Sequence, residues 1–442
     1  MIRAKLFVLL LLASTFGQAA DLLSVYRVAQ KNDAVYAGAK AQYLAAQERL
    51  VQANAARLPN VNFEAGANYN TLDSEYENNA FPPGKRDYYD YNAGVRVVQP
   101  LYNRVVNLTY DQARTAVRQA ENQLTFASQE LMTRVAEAYF RVLQARTNLD
   151  TVRAEKRAVA EQLEQAKRNF TVGTATITDS REAQARYDLV VAQELVAQND
   201  LEVSLRGLEQ IVGITVVEPA GLRLPVSLAP PDPADMNAWV EQAYQSSLQV
   251  AVAQQSLDLF SQEVKRASAG HGPTVDAVGS LNYNYSDSSA QGIGSEVQSL
   301  VVGVRLNIPL YQGGAITSKV REALANQERA RQELENVRRS VALATRTAYL
   351  GVTSGLAQVK AFEQAVSSTR LQRESTKLGQ EVGVRTAVDV LDADRQLAVA
   401  QRSLAESLYK SIVSQLQLKA AVGKLAEPDL AAVNRLLKED PN

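Results

Sequence analysis

A repeat of about 210 residues within the chain constrains its fold more than any other feature of the sequence. The segment Val95-Arg-Val-Val-Gln-Pro-Leu-Tyr102 returns as Val304-Arg-Leu-Asn-Ile-Pro-Leu-Tyr311, and Tyr139 returns as Tyr349. A fixed offset of this kind indicates a duplicated structural unit. The sequence therefore predicts one body made of two equivalent halves, rather than the two or three separate domains that 442 residues would suggest.

The N-terminus has the order of a secretory signal. Arg3 and Lys5 precede an apolar run from Leu6 to Ala13, and small residues follow at Ala19 and Ala20. The alternative, a membrane anchor that is retained, is disfavoured because the run is too short to cross a bilayer core of about 30 Å. The predicted organisation is a signal peptide over 1–20, a first repeat over 21–213, a Pro-rich linker over 214–233, a second repeat over 234–423 and a tail over 424–442.

Residues 103–170 contain no proline or glycine and are rich in alanine, glutamine, glutamate, arginine and leucine. This composition predicts one uninterrupted helix of roughly 100 Å. From Leu131 to Phe170, apolar side chains recur at alternating spacings of four and three residues, as in the seam of a coiled coil, and Lys156 is the break in the pattern. Shorter helices are predicted over 22–56, 177–212, 235–268 and 386–421.

Each half also holds two segments in which apolar and polar residues alternate, so four strands per chain are predicted. The intervening tips, 71–87 and 287–296, are polar and are predicted to be irregular. Four strands cannot close into a barrel by themselves. The strands therefore indicate a transmembrane barrel shared between chains. The alternative is a sheet packed on its own helices in a soluble domain.

Composition excludes several classes of function. The 47 basic and 48 acidic residues leave no excess of positive charge for nucleic acid. The absence of cysteine excludes disulfides and thiol-ligated metals. No hydrolase triad, phosphate-binding loop or metal-ligand cluster is recognisable, so we expect neither an enzyme nor a cofactor.

Three sets of motifs resemble the TolC family of outer-membrane efflux and secretion ducts. They are Gln99-Pro-Leu-Tyr102, Leu306-Asn-Ile-Pro-Leu-Tyr-Gln-Gly-Gly314, and Val-Gly-x-x-Thr-x-x-Asp beginning at both Val172 and Val382. The resemblance spans residues 22–423. It implies an α+β membrane protein that forms a homotrimer, with a 12-strand barrel in outer-membrane lipid, a 12-helix periplasmic α-barrel, and an equatorial collar made by the linker and the tail.

The resemblance also implies a gate at the helix-helix turns. Arg385 matches the family's latch arginine, and Thr178 and Asp179 match its partners on the adjoining hairpin. Gln380 stands where the best-known members have a tyrosine that joins the latch, so its part in the contact is open. An arginine facing a carboxylate would form a reversible, salt-sensitive clamp.

Asp389 and Asp392 match the aspartates that ring the family's narrow entrance, where threefold symmetry would gather six carboxylates that favour cations. A simpler interpretation is open for Asp179 and Asp389, because Thr-x-x-Asp is also a capping box that begins a helix. The residues implied in adaptor docking at the turns are Val172, Gly173, Thr176, Val382, Gly383 and Thr386.

The predicted function is a passive exit duct of a tripartite efflux pump or a type I secretion system. The implied partners are a periplasmic adaptor and an inner-membrane transporter of the ABC, RND or MFS class, and the implied location is the outer membrane with a large periplasmic portion. The alternative is a periplasmic adaptor or structural coiled-coil protein that never enters the outer membrane. A diffusion porin would need many more strands per chain and no long helices.

Overall fold

The structure, a computed structural model, describes residues 21–75, 84–215, 219–289 and 293–438. The predicted signal peptide lies outside the described residues, as do residues 216–218 of the linker, 439–442 of the tail, and parts of both predicted strand tips. The helices and strands of the described chain agree with the predicted α+β class.

The same succession of elements occurs in both halves: two helices, a β-hairpin, a very long helix and a shorter helix. The bounds in the first half are α1 Leu22–Asn32, α2 Ala34–Ala55, β1 Asn60–Ser74, β2 Gly84–Asn103, α3 Arg104–Thr171 and α4 Ile177–Val212. The bounds in the second half are α5 Met236–Ser246, α6 Leu248–Ala269, β3 Thr274–Ser286, β4 Ser295–Asn307, α7 Ala315–Glu381 and α8 Ala387–Ala421, and α9 Glu427–Asn434 follows. No helix in the described part of the chain is long and apolar enough to cross a membrane.

The single helices predicted over 22–56 and 235–268 are wrong, because each is broken into two. Asp33 is extended between α1 and α2, and its carboxylate accepts a 2.7 Å hydrogen bond from the backbone N–H of Tyr36, which caps α2. The guanidinium of Arg134 donates to the same carboxylate at 3.0 and 3.1 Å. Burial would raise the pKa of Asp33, but these hydrogen bonds lower it below its ordinary value. Ser247 makes the equivalent break before α6.

The chain divides into two compact units, and the smaller one, formed by residues 42–121 and 252–335, contains the sheet. The strand order is β1-β2-β3-β4, and every neighbouring pair is antiparallel. Phe63, Val95, Leu281 and Leu300 lie opposite one another across the four strands, so one face of the sheet is apolar. The described residues of one chain leave this face uncovered, and Leu300 is 73% exposed.

The predicted irregular tips are shorter than expected, because cross-strand pairing continues into them. β1 extends to Ser74 and β2 begins at Gly84, with residues 71–74 paired to 84–87. On the polar face, Asp90 accepts hydrogen bonds from Asn70 and from Ser286, both at 2.6 Å. These contacts join three strands near the hairpin end, although the local sequence is polar.

The core of the other unit, in the described residues 21–41, 122–251 and 336–438, lies where the helices meet the linker and the tail. Tyr139 is fully buried and its hydroxyl donates a 2.9 Å hydrogen bond to the carbonyl of Ala220 in the linker. The linker pairs in turn with the tail, through an antiparallel bridge between Leu222 and Leu437. The two segments that flank the second repeat are therefore joined to each other.

The predicted seam of α3 is buried in its N-terminal part, where Leu131, Val135 and Val142 are all nearly inaccessible to solvent. It becomes more exposed towards the end of the helix, and Phe170 is 44% exposed. A second buried stripe, formed by Met132, Ala136, Tyr139, Phe140 and Leu143, was not predicted. These residues are covered by segments distant in sequence, which a local periodicity does not reveal.

Candidate functional site

Two helix hairpins, α3–α4 and α7–α8, turn at the paired Val-Gly motifs. Gly173 and Gly383 have φ angles of 77° and 80°, in the left-handed region that glycine adopts most readily. In the first turn, Thr174 N–H donates to the carbonyl of Asn169 at 2.8 Å. In the second, Val384 N–H donates to the carbonyl of Gly379 at 2.9 Å. The two backbones therefore reverse direction in the same way.

Each turn is followed by a complete capping box, which confirms the capping interpretation of Asp179 and Asp389. The carboxylate of Asp179 accepts from the backbone N–H of Thr176 at 2.8 Å, and the Thr176 hydroxyl accepts from the backbone N–H of Asp179 at 3.3 Å. The corresponding distances between Thr386 and Asp389 are 2.8 and 3.2 Å. Hydrogen bonds from these threonine N–H groups lower the pKa of both carboxyl groups below the ordinary value.

The structure brings the predicted latch residues to the ends of the hairpins, and Thr178, Asp179, Gln380 and Arg385 are all exposed there. Among the residues that the structure describes, no ion pair within one chain joins Arg385 to Asp179. The positive charge of Arg385 contributes instead to lowering the pKa of Asp389, after the hydrogen bonds from Thr386. The latch thus stays a prediction.

Asp392 lies one helical turn after Asp389 in α8, as the predicted entrance ring requires. Its side chain is exposed, and in the described part of the chain it forms no ion pair. The residue at the equivalent position of the first hairpin is Glu182, which pairs with Arg186 at 3.2 Å in the same helix. At this position of the described chain, the second hairpin thus has an unpaired carboxylate where the first has an ion pair within the helix.

A set of interhelical ion pairs, called the ion-pair belt, links all four helices and was not predicted from the sequence. It consists of Arg153 and Lys156 with Glu194, Arg395 with Glu155, and Arg373 with Asp394, at distances of 3.2, 2.8, 3.6 and 2.8 Å. These pairs join α3 to α4, α3 to α8, and α7 to α8. The hydrogen bond from Lys156 lowers the pKa of Glu194, and the same contact raises the pKa of Lys156.

The signal for this belt was present in the sequence as the charged break that Lys156 makes in the apolar seam of α3. The structure explains the break, because the ammonium group reaches Glu194 on α4. Towards the turns, the ion pairs Lys167–Glu164 and Arg186–Glu182 lie within single helices. Among the described residues, interhelical ion pairs thus lie in the belt and on the side of the belt that is farther from the turns.

In the described ranges, no group of three or more histidine, cysteine, aspartate or glutamate side chains is placed to hold a metal ion. The chemistry available at the turns is that of exposed charges on a fixed backbone, namely ion pairing and electrostatic selection.

Comparison with known proteins finds a family and several relatives that match both halves of the chain. The profile of the family described as "Outer membrane efflux protein" matches residues 25–214 and 239–424, once in each half. The chain is 38% identical over 422 residues to Outer membrane protein TolC of Vibrio cholerae serotype O1, with 95% of this chain and 94% of the relative covered. It is 29% identical over 431 residues to Proteases secretion protein PrtF of Dickeya chrysanthemi, with 96% and 93% covered.

The fold agrees with the sequence matches. The crystal structure of the outer membrane protein VceC from Vibrio cholerae superposes with a TM-score of 0.73 at 20% sequence identity, covering 91% of this chain and 96% of that one. The predicted resemblance is confirmed, and the chain belongs to the outer membrane efflux protein family.

Proposed function

We propose that the chain is one protomer of a trimeric exit duct in the outer membrane, which passively conducts substrates from an inner-membrane transporter to the outside. The observation that carries this proposal is an open four-stranded sheet with one uncovered apolar face, joined in sequence to two hairpins of very long helices. The relatives include proteins named for efflux and proteins named for the secretion of proteases, which supports both routes of export.

The apolar face of the sheet has the height of an outer-membrane barrel. In β3 it runs from Val275 to Tyr285, which is eleven residues, or about 33 Å along the strand. With a strand tilt of about 40°, this corresponds to an apolar band of about 25 Å. Tyrosines lie at both ends of the face: Tyr285 contacts Tyr91 at the hairpin end, and Tyr102 lies opposite Val275 at the helix end. Tyrosine is enriched at membrane-water interfaces.

The two free edges of the sheet support an assembly of several chains. Among the described residues, no strand lies beside the outer edge of β1 or of β4, and unpaired edges are not tolerated in lipid. Three chains would give a closed barrel of 12 strands. A mass measurement of the detergent-solubilised protein tests this, with a trimer as the expected result. A stable monomer or dimer would exclude the shared barrel.

The helices carry a second indication of assembly. On α4, the exposed residues Leu189, Val196 and Val203 are spaced by seven and form one apolar stripe. On α7, exposed leucines form two pairs with the same spacing of seven, Leu343 with Leu350 and Leu371 with Leu378, and the pairs are three heptads apart. In the proposed trimer, α4 of one protomer would pack against α7 of the next. Twelve helices would then close into the periplasmic α-barrel.

The two faces of the α3–α8 pair differ in a way that suits a duct wall. The linker lies over one face. The side of α8 turned away from the linker lines a groove of about 600 Å³, together with residues of α3 and α7. The charged residues of this groove are Glu137, Arg141, Glu406 and Lys410. We assign this charged face to the lumen and the linker with the tail to an outer collar, and we attribute the two halves to a duplication.

In this proposal the hairpin turns form the periplasmic entrance and the surface that meets the adaptor. Arg385 of one protomer would pair with Thr178 and Asp179 across a protomer boundary, since no such pair forms within one chain. Asp389 and Asp392 would supply the ring of six carboxylates. Exposed ion pairs contribute about 0–1 kcal/mol each, so three together would shift the ratio of open to closed ducts by up to about 100-fold.

Replacing Arg385 tests the entrance directly. We expect Arg385→Ser to raise single-channel conductance in planar bilayers, and to do so most at low ionic strength, where the ion pairs are screened least. Conductance equal to that of the unmodified protein at all salt concentrations would remove the latch. The export function itself is tested by deleting the gene for this protein in its host. Drug susceptibility and protein secretion are then compared with those of the unmodified host.

A further inference from the structure

The side chain of Arg385 lies across a glycine of the preceding helix. Gly379 is in the last turn of α7, six residues before Arg385. A methyl group at Gly379 would lie 2.8 Å from Cγ and 3.4 Å from Cβ of Arg385. Nonbonded carbon atoms are usually separated by about 3.5–4.0 Å. The stem of the arginine therefore occupies the space that any other residue at position 379 would need.

The backbone of Gly379 holds the same residue from the other side of the turn. Its carbonyl accepts hydrogen bonds from the N–H groups of Val384 at 2.9 Å and of Arg385 at 3.1 Å. The backbone of Arg385 is thus tied to the helix turn against which its own side chain lies. These contacts restrict the directions in which the guanidinium can leave the turn.

The first hairpin lacks both members of this pair. The residues 210 positions earlier are Asn169 and Ala175, so a side chain is present where Gly379 has none, and the arginine is replaced by a methyl group. The carbonyl of Asn169 still accepts from Thr174 N–H, at 2.8 Å. The common turn therefore needs no glycine at this position.

The backbone conformation does not require a glycine at position 379 either. Gly383 has a positive φ angle, but Gly379 is helical and is not among the glycines with positive φ. Glycine is a poor helix former, and alanine is the best. The remaining reason for a glycine here is the space that it leaves for Arg385.

We propose that Gly379 is a positioning residue for the entrance, because it lets the stem of Arg385 lie on the helix surface and so directs the guanidinium towards its partner. This inference rests on the proposed latch role of Arg385. A methyl group at position 379 would force the stem away from the helix and misdirect the charge. The helix itself would gain from the substitution.

The test is single-channel recording of trimers in planar bilayers for Gly379→Ala, Arg385→Ser and the double variant, together with thermal unfolding. We expect Gly379→Ala to reproduce the increase in conductance that Arg385→Ser produces, without a lower unfolding temperature. In the double variant, Gly379→Ala should add nothing to Arg385→Ser. Asn169→Ala is the matched control at the first hairpin, and it should leave conductance unchanged.

The possible failures are distinguishable. If Arg385→Ser raises conductance and Gly379→Ala does not, the latch stands and the positioning role is overturned. The positioning role is also overturned if Gly379→Ala raises conductance equally with and without Arg385, because it would then act independently of the arginine. If Arg385→Ser itself has no effect, the latch falls, and the role of Gly379 falls with it.

Discussion

The two hairpin turns have nearly the same backbone and different side chains. Both contain a left-handed glycine and a Thr-Asp capping box, with distances that agree within 0.1 Å. The second turn has Arg385 where the first has Ala175, and its Asp392 lacks the cationic partner that Glu182 has in Arg186. The comparison separates a shared scaffold, which reverses the chain, from charges that only the second turn carries.

The largest expected effect comes from breaking the shared scaffold. Gly173→Val and Gly383→Val place a β-branched side chain at positive φ, which costs about 1–2 kcal/mol or more at each turn. Both variants should reach the membrane as trimers and lose export. Gly38→Val, at a helical glycine of α2 with nothing within 4 Å, is the matched control. Normal export by either turn variant would exclude the turns as the docking surface.

The second largest effect, on cation selectivity, is expected mainly from the second hairpin. Asp389→Asn with Asp392→Asn removes two negative charges from the second turn, and asparagine can still accept the capping hydrogen bonds. Reversal potentials in a salt gradient should show weaker cation selectivity. The control is Glu182→Gln, which removes the charge equivalent to that of Asp392 from the first turn and leaves the proposed latch partner Asp179 in place. This control should change selectivity less, and an equal change would refute the assignment of the ring to α8.

A smaller and symmetrical effect is expected from the caps. Thr176→Ala and Thr386→Ala each remove a hydroxyl that accepts the backbone N–H of the following aspartate, at a cost of about 1 kcal/mol. Amide hydrogen exchange should become faster in the first turns of α4 and α8 to a similar extent. A large difference between the two variants would show that the capping boxes are not equivalent.

The smallest expected effect is on the pH at which the capping boxes are lost. The pKa values of Asp179 and Asp389 lie below the ordinary 3.8, so each cap is intact above that pH and is lost as the pH falls through the lowered pKa. Within one chain, the charge of Arg385 also contributes to lowering the pKa of Asp389. In Arg385→Ser, protection of the α8 start against hydrogen exchange should therefore be lost at a higher pH than in the unmodified protein. An unchanged pH dependence of this protection would show that Arg385 does not act on the cap.

Local signals in the sequence were sufficient for the long elements. The absence of proline and glycine gave α3 within a residue of its observed bounds, and the capping threonines marked the starts of α4 and α8. Alternation gave the four strands. The helix breaks at Asp33 and Ser247 were not predicted, because no proline or glycine marks them. The break at Asp33 is stabilised by Arg134, a residue distant in sequence.

The candidate site was predictable to a similar degree. The positions of the turns and the capping boxes follow from short motifs. The space at Gly379 and the partners in the belt depend on which side chains face each other across two helices, which spacing along one helix does not specify. The partner of Arg385 depends on a neighbouring chain, so neither one sequence nor one protomer determines it.

The position of the ion-pair belt along the helices has a mechanical consequence. In α3, Glu155 lies sixteen residues before the end of the helix at Thr171, and over this length the exposed fraction of the seam increases. In α7, Arg373 lies only eight residues before the end of the helix at Glu381. The free arms are therefore about 24 Å in the first hairpin and about 12 Å in the second. The same tilt of about 10° at the belt would move the first turn by about 4 Å and the second by about 2 Å, so the longer arm amplifies a change of angle twice as much.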